Sequence, residues 1–376
     1  MRRCATLIAL LLAVAATDAA AQVSLYGVLG VGYVGRPSGV HSRSLGSGLD
    51  ATDRESALNP AAVGDISRLT VAAASISSFR EYTVRTGTVE NLRDTRFPYA
   101  LIAGVLTGTP ITFAANYSIY AERSFDLLTV DTLVLRGDTV FVADETRSVG
   151  AIADIRGAIG WELFSGVVVG GAVHILTGST QEDLKRAYSD SLYRPLDHRS
   201  QVSYSGLGFS VGILYARSRK LHFGVAFRSD NSLKTVRDSI PARHADLPMT
   251  VSGGFQYRPV SRVMFATTVV WSSWSDAAAD LAAVGGANAF DTWSVGAGLE
   301  LNRGGKIPVR FGFRYAQLPF SNTPDQPREI DLTVGVGFRA AGGRALFDIG
   351  LERAKRDGGG ASERAWQLSL GVIILP

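Results

Sequence analysis

Apolar and polar residues alternate along most of this chain with a period of two. In 309–315, Val309, Phe311, Phe313 and Tyr315 alternate with Arg310, Gly312 and Arg314. In 330–339, Ile330, Leu332, Val334, Val336 and Phe338 alternate with Asp331, Thr333, Gly335, Gly337 and Arg339. Segments 221–228 and 293–301 repeat the pattern with Leu221, Phe223, Val225 and Phe227, and with Trp293, Val295, Ala297, Leu299 and Leu301. Period two puts successive side chains on opposite faces of an extended strand. Fourteen such segments follow one another, near 68–83, 96–107, 110–123, 144–162, 166–178, 199–216, 219–231, 247–258, 260–275, 289–302, 307–318, 328–340, 344–355 and 362–375.

The connections alternate as well. Thr107-Gly108-Thr109-Pro110, Phe164-Ser165-Gly166, Arg217-Ser218-Arg219, Arg258-Pro259, Asn302-Arg303-Gly304-Gly305 and Ala341-Gly342-Gly343 are tight. Between them lie longer polar stretches, around 84–95, 124–143, 179–198, 232–246, 276–288, 319–327 and 356–362. Short turns at one end and longer loops at the other are the layout of an outer-membrane barrel. The alternative is a soluble sandwich or barrel with its apolar stripe turned inward. Two features weigh against it. One face of each strand is glycine and charge while the other is large and apolar. Aromatics also gather near strand ends (Tyr99, Trp161, Tyr215, Tyr257, Trp271, Trp274, Trp293, Tyr315, Trp366), as interfacial girdles do. The expected fold is all-β: a transmembrane antiparallel barrel of about 14 strands, occupying 67–376.

Ahead of it, residues 42–66 have neither helical period nor strand alternation, and Asn59-Pro60 marks a turn. Such a stretch fits a linker or a plug inside a barrel; 22–66 is expected to be the plug. Inward glycines (Gly208, Gly212, Gly224, Gly296, Gly298, Gly312, Gly335, Gly337, Gly350) would leave room for it beside the wall. Residues 1–21 read as a secretory signal peptide, with Arg2-Arg3, an apolar run from Ala5 to Ala16 and Ala19-Ala20-Ala21 before Gln22.

Composition adds exclusions. The only cysteine of the 376 residues is Cys4, inside the leader, so the mature chain is expected to hold no thiol, disulfide or cysteine-based metal site. Loss of the leader leaves 36 basic and 33 acidic residues of the original 38 and 34, a net charge of about +3. That is too small and too evenly spread for nucleic acid. The five histidines lack metal-ligand spacing, and no cofactor or metal is expected. Gly30-Val-Gly32-Tyr-Val-Gly35 matches a dinucleotide fingerprint, but Arg36-Pro37-Ser38-Gly39 follows instead of a helix. His174 and His222 share the inward parity; either can meet a barrel serine, as in a lipase, or be satisfied by the plug. Inward charges of both signs (Asp154, Arg156, Arg228, Glu300, Arg310, Arg314, Asp331, Arg339, Asp348, Glu352) read as internal ion pairs or as a selectivity lining.

Several stretches, taken in order, resemble the FadL-type outer-membrane transporters of long-chain fatty acids and aromatic hydrocarbons. The family's acidic residue, short spacer and Asn-Pro-Ala occur as Asp53, Asn59, Pro60 and Ala61, with Ala62 where the family often has glycine. The hairpin 206–215 and 221–229, then Leu247-Pro248 with Gly253 and Tyr257, look like its middle strands. Trp271-Ser-Ser-Trp274-Ser275 and Arg310-x-Gly312-x-x-Tyr315 with Pro319 look like those that follow. The match covers most of the mature chain.

The resemblance implies a bacterial outer-membrane barrel closed by an N-terminal hatch, passing hydrophobic small molecules without its own energy source. It also implies a lateral opening at a kinked third strand and a landing groove in the loops after strands five and seven, here 179–198 and 232–246. In the third segment Ala114-Ala115 stands beside Asn116, a place for such a kink, and Val23, Leu25, Tyr26, Val28 and Leu29 are apolar residues able to line a path next to it. Expected partners are outer-membrane lipids and lipopolysaccharide, the hydrophobic ligand, and the barrel-assembly machinery, which reads a last strand like 366–375. A secretion-associated scaffold or a porin-like channel is the alternative function.

Overall fold

The computed structural model describes residues 24–84, 89–218, 220–238, 242–282 and 287–375. The expected leader and Val23 lie outside them. Fourteen antiparallel strands follow in chain order: β1 (Thr70–Val84), β2 (Val89–Val105), β3 (Ile111–Glu122, continued as Phe125–Leu135), β4 (Asp138–Phe164), β5 (Val167–Tyr188), β6 (Leu196–Tyr215) and β7 (Leu221–Asp230, continued as Leu233–Arg237). The second half comprises β8 (Arg243–Ala245, then Thr250–Val260), β9 (Val263–Ser272), β10 (Thr292–Leu301), β11 (Val309–Gln317), β12 (Arg328–Ala340), β13 (Ala345–Gly358) and β14 (Ala361–Ile374). Each strand pairs with the next. β1 pairs with β2 and also with β14, from Val71 opposite Ile374 to Val84 opposite Ala361, so the sheet closes on itself and has no free edge at its ends.

The period-two pattern sorts side chains as expected. Phe311, Phe313, Leu332 and Val334 are exposed on the outside, whereas Arg310, Asp331 and Thr333 are buried within. Trp161, Tyr215 and Tyr257 ring the outside near the short turns, and Trp293 packs on Trp271 at 6.4 Å toward the other end. Two of the aromatics expected on the outside point inward instead. At Phe97-Pro98, β2 carries a bulge, two residues standing opposite Ser75, and one extra residue turns the following side chains over; Tyr99 therefore points in and donates to the Glu55 carbonyl. Trp274 lies past the end of β9 in a short 3₁₀ turn and packs edge-on against Phe320 at 5.1 Å.

At the end opposite the short turns, most stretches expected as loops are strand. The β3–β4 hairpin runs through 124–143 and reverses at Arg136-Gly137, with φ of 56° and 94°, a type I′ turn matched to strand twist. β5 and β6 likewise extend through 179–188 and 196–198.

Residues 24–66 lie inside the barrel. From Val40 to Gly64 this inner segment runs round the wall, meeting a glycine on almost every strand it crosses. Val40 and Ser44 lie against Gly371, Gly350 and Gly335; Leu45 to Ser47 against Gly312, Gly298 and Gly296; Ala51 against Gly254 and Gly224; Asn59 to Ala61 against Gly224, Gly212 and Gly170; Val63 and Gly64 against Gly160. A Cβ at Gly312 would stand 2.1 Å from the Gly46 nitrogen, so these glycines are the space the inner segment occupies. Gly208 and Gly337, expected to do the same, make room for the wall's own Asp230 and Asp348.

Candidate functional site

The turn at Asn59 is fitted into the wall. Asn59 caps the 3₁₀ turn Pro60–Asp65, its Oδ1 accepting from Ala61 N at 3.0 Å. Its Nδ2 donates to the Ala51 carbonyl at 2.8 Å and to the Ile213 carbonyl of β6 at 3.2 Å. The amide fills the place of two missing side chains, with Oδ1 2.1 Å and Nδ2 2.9 Å from where Cβ atoms of Gly212 and Gly224 would lie. Pro60 and Ala61 press on Gly170 in the same way. Asp53 closes the turn before them, its Oδ1 accepting from Glu55 N at 3.2 Å. All four residues are buried, Asp53 in a turn of its own and Asn59, Pro60 and Ala61 in the bend that follows.

On the far wall the inner segment is held by charge. Arg36 pairs with Glu352 and with Asp331 (3.4 Å), Tyr33 OH donates to Glu329 at 2.6 Å, and His41 Nε2 meets Glu300 at 2.7 Å. Arg356 stacks over the Tyr33 ring at 4.5 Å. The inward charges read from the sequence are mostly such pairs: Arg228 with Asp154 (2.7 Å), Arg310 with Glu300 (3.1 Å) and Asp348 (2.6 Å), Arg314 with Asp331 (3.0 Å). Burial pushes two carboxyls of the inner segment upward, Asp50 to about 6 and Glu55 upward with help from neighbouring Asp53.

His174 makes a Ser-His-Asp line across β4, β5 and β6: Nδ1 is 2.9 Å from Asp154 Oδ2 and Nε2 is 2.9 Å from Ser210 Oγ. The geometry resembles a hydrolase triad, but its setting does not supply the other parts. Arg228 shares the Asp154 carboxylate, Ser210 is 1% exposed, and β6 is paired on both sides from Gly208 to Tyr215, leaving no adjacent pair of free amides for an oxyanion. His174 is a satisfied wall histidine. Among the described residues no cluster of three metal-binding side chains occurs.

The barrel wall has a seam. β2 and β3 pair only from Tyr99 opposite Ser118 to Val105 opposite Thr112. Beyond Ser118, among the described residues, the edge of β3 is taken by the inner segment: Tyr33 pairs with Glu122, Val34 with Ala121, and Gly35 N donates to the Tyr120 carbonyl at 2.8 Å. Bulges flank the seam on both sides, at Phe97-Pro98 in β2 and at Tyr120 in β3, where the register with β4 shifts between Ile119 and Ala121. Gly35 makes the approach possible, since a Cβ there would lie 1.9 Å from the Ile119 oxygen. Arg96 and Glu122 pair across the gap.

Behind the seam lies a cavity of about 170 Å³. Ser118, Ile119 and Tyr120 of β3 and Tyr33 to Pro37 of the inner segment form one side; Thr250, Thr268 and Trp274 belong to the other. On the side of the seam it is bordered by the β3 edge and by Tyr33 to Arg36.

The residues expected to line a path are placed apart. Ala114, Ala115 and Asn116 keep a regular ladder with β2 and β4. Ala114 packs inward near Val63 and Ile66, Ala115 faces outward, and Asn116 donates to the Ala100 carbonyl at 3.1 Å. Leu25 and Tyr26 sit by β13 and β14, where Leu25 N donates to Glu363 (3.2 Å) and Tyr26 OH to the Ala361 carbonyl (2.8 Å). Leu29 packs near Trp274 and Phe320, and the Val28 amide returns to the Leu25 carbonyl at 3.3 Å. The irregularity in β3 is at Tyr120, five residues beyond Ala115; Pro98, which lacks an N–H, was the sequence mark of its partner.

No family model matches the chain, and no curated protein matches it. Solved structures do. The Ralstonia pickettii toluene transporter TbuX superposes with a TM-score of 0.58 at 14% identity, over 90% of this chain and 98% of its own. A Pseudomonas aeruginosa FadL homologue gives 0.60 at 12%, over 92% and 99%. The CymD monoaromatic hydrocarbon channel gives 0.57 at 13%, over 93% and 99%. Across nearly its whole length, the chain has the fold of these three proteins.

Proposed function

We propose that the protein is a passive outer-membrane channel for small hydrophobic compounds, with residues 22–66 as its hatch and the short turns in the periplasm. The observation that carries the reading is the cavity lying directly behind a wall seam that the inner segment closes by two residue pairs. Backbone groups unpaired within a bilayer are tolerated only beside a lumen or protein, which suits a gap that a ligand crosses from inside. The apolar outer face, the two rings of aromatics and the hydrophobic substrates of the structurally similar channels support the membrane and the ligand class. The last strand, 361–374, would be the segment read during barrel assembly, and lipid and lipopolysaccharide would surround the outer face.

The route differs from a path along Ala114, Ala115 and Leu25, and runs between Pro98 and Tyr120. Val34→Cys with Ala121→Cys places a disulfide on a cross-strand pair, in a mature chain expected to have no other thiol. Oxidised, this variant is expected to stop uptake of toluene or a fluorescent fatty acid into vesicles, and reduction to restore it. Equal uptake in both states rejects the lateral route. No hydrophobic uptake by the unclamped protein rejects transport in favour of a scaffold.

A further inference from the structure

The cavity behind the seam says more about its ligand than hydrophobicity does. We propose that it binds uncharged single-ring compounds carrying a hydroxyl, the phenol and benzyl alcohol class, in preference to bare hydrocarbons, carboxylates or long acyl chains. The proposal rests on the transport reading and sharpens its substrate.

Size comes first. At about 170 Å³ the space is close to the ~150 Å³ of a protein cavity that takes one benzene ring. An extended long-chain acyl group is far larger than one ring, so it does not fit while the inner segment is docked.

Charge comes second. Three arginines (Arg36, Arg228, Arg314) and three aspartates (Asp50, Asp154, Asp230) border the cavity. Arg228 is already held by Asp154 at 2.7 Å and Asp230 at 2.8 Å, and Arg314 by Asp331 at 3.0 Å. A ligand carboxylate would find these cations already shared with wall carboxylates, and so no surplus positive charge to offset its own desolvation. Such a lining favours a neutral guest.

Hydrogen bonding comes third. Ser47 Oγ, Ser118 Oγ and Arg228 Nη2 are buried, belong to residues that border the cavity, and have no hydrogen-bond partner. Ser47 and Ser118 are 7% and 1% exposed. Buried polar atoms are paired almost without exception in native proteins. One hydroxyl on the ligand can accept from Arg228 or a serine and donate to a serine, so it answers the unpaired atoms; a methyl cannot. The remaining surface, with Val34, Leu58, Ile119, Val270 and Trp274, accommodates the ring.

The test is calorimetry on the full-length protein in nanodiscs, with empty nanodiscs subtracted, using p-cresol, toluene, benzoate and oleate. Expected is p-cresol binding about tenfold tighter than toluene, the worth of roughly one net hydrogen bond, and no measurable benzoate binding. The variant Ser47→Gly with Ser118→Ala removes both hydroxyl partners that can accept, so it should cut the p-cresol advantage at least severalfold, the rest resting on Arg228, and leave toluene unchanged. Glycine suits position 47, where φ is 62°. Heat-modifiable gel migration confirms that the variant is folded. Equal binding of p-cresol and toluene by the wild type, or a gap the variant leaves undiminished, overturns the proposal. Tightest binding by toluene or oleate overturns it while leaving transport intact; silence from all four defeats the transport reading too.

Discussion

Replacing Asn59 by alanine should undock the inner segment without disturbing the barrel. The substitution removes the cap on Ala61 N and the two bonds from Nδ2 to the Ala51 and Ile213 carbonyls. A lost cap costs about 1 kcal/mol, and each buried bond a similar amount net, with more where a partner is left unpaired. The void over Gly212 and Gly224 adds to this, so the docked state should lose about 3 kcal/mol, on the order of a hundredfold in its equilibrium with undocked forms. In planar bilayers the open fraction should rise by that factor while it remains a minority, and trypsin should reach Arg54, which is half-buried in the docked segment. Asn59→Ser keeps an acceptor for Ala61 N and should fall between wild type and alanine. The reasoning fails if Asn59→Ala changes neither conductance nor cleavage by more than about threefold, because the bend would then carry none of the docking free energy assigned to it.

Two further outcomes follow from the same contacts. Gly312→Val sets a side chain 2.1 Å from the Gly46 nitrogen and should raise conductance, at a cost of about 1–3 kcal/mol, whereas Gly171→Val, which meets nothing within 4 Å, should be silent; equal behaviour of the pair contradicts the glycine track. Asp50, raised from 3.8 to about 6 by burial, favours the protonated form when docked, so docking should be strongest below about pH 4 and weaken as pH rises to about 6, Asp50 contributing about 3 kcal/mol of the loss while Glu55, raised to about 8, carries it to higher pH; Asp50→Asn should flatten the slope between pH 4 and 6 in proteolysis rates, and a slope of opposite sign refutes it.

The wall was legible because a strand exposed on one face and buried on the other must alternate, and Val309 to Tyr315 or Ile330 to Arg339 do so without interruption. The β3–β4 extension was equally periodic, in Leu128, Val130, Thr132 and Val134, but Asp126, Asp131, Asp138 and Asp144 gave it the composition of a loop. Outside a bilayer both faces of a hairpin can be polar, so composition misleads there where period does not. The seam was only half legible. Small residues at Ala114-Ala115 weaken packing but leave every backbone donor in place, and the ladder holds; Pro98 removes a donor, and the ladder ends. The course of residues 24–40 had no period at all. It is set by which wall residue each group meets, such as Glu363 for Ser24 and Glu329 for Tyr33, and those partners lie about 300 positions away in sequence.

The two sides of the inner segment are held by different physics, and this bears on how it could move. Over β4 to β8 it is seated in notches, with backbone and Asn59 hydrogen bonds at close range. Along β12 to β14 glycine notches take only Val40 and Ser44, and the stretch Tyr33 to Arg36 is held through its carboxylate partners. Buried ion pairs roughly break even against their desolvation, so separating Arg36 from Asp331 and Glu352 into a wetted lumen costs little net, whereas lifting Asn59 from its notch leaves unpaired groups and a void. The segment at Tyr33 to Arg36 is also the one that closes the seam and borders the cavity. On the proposed lateral route, the part of the inner segment that would have to move is therefore the part whose attachments are cheapest to exchange for water, and the bend at Asn59 can stay seated while it does.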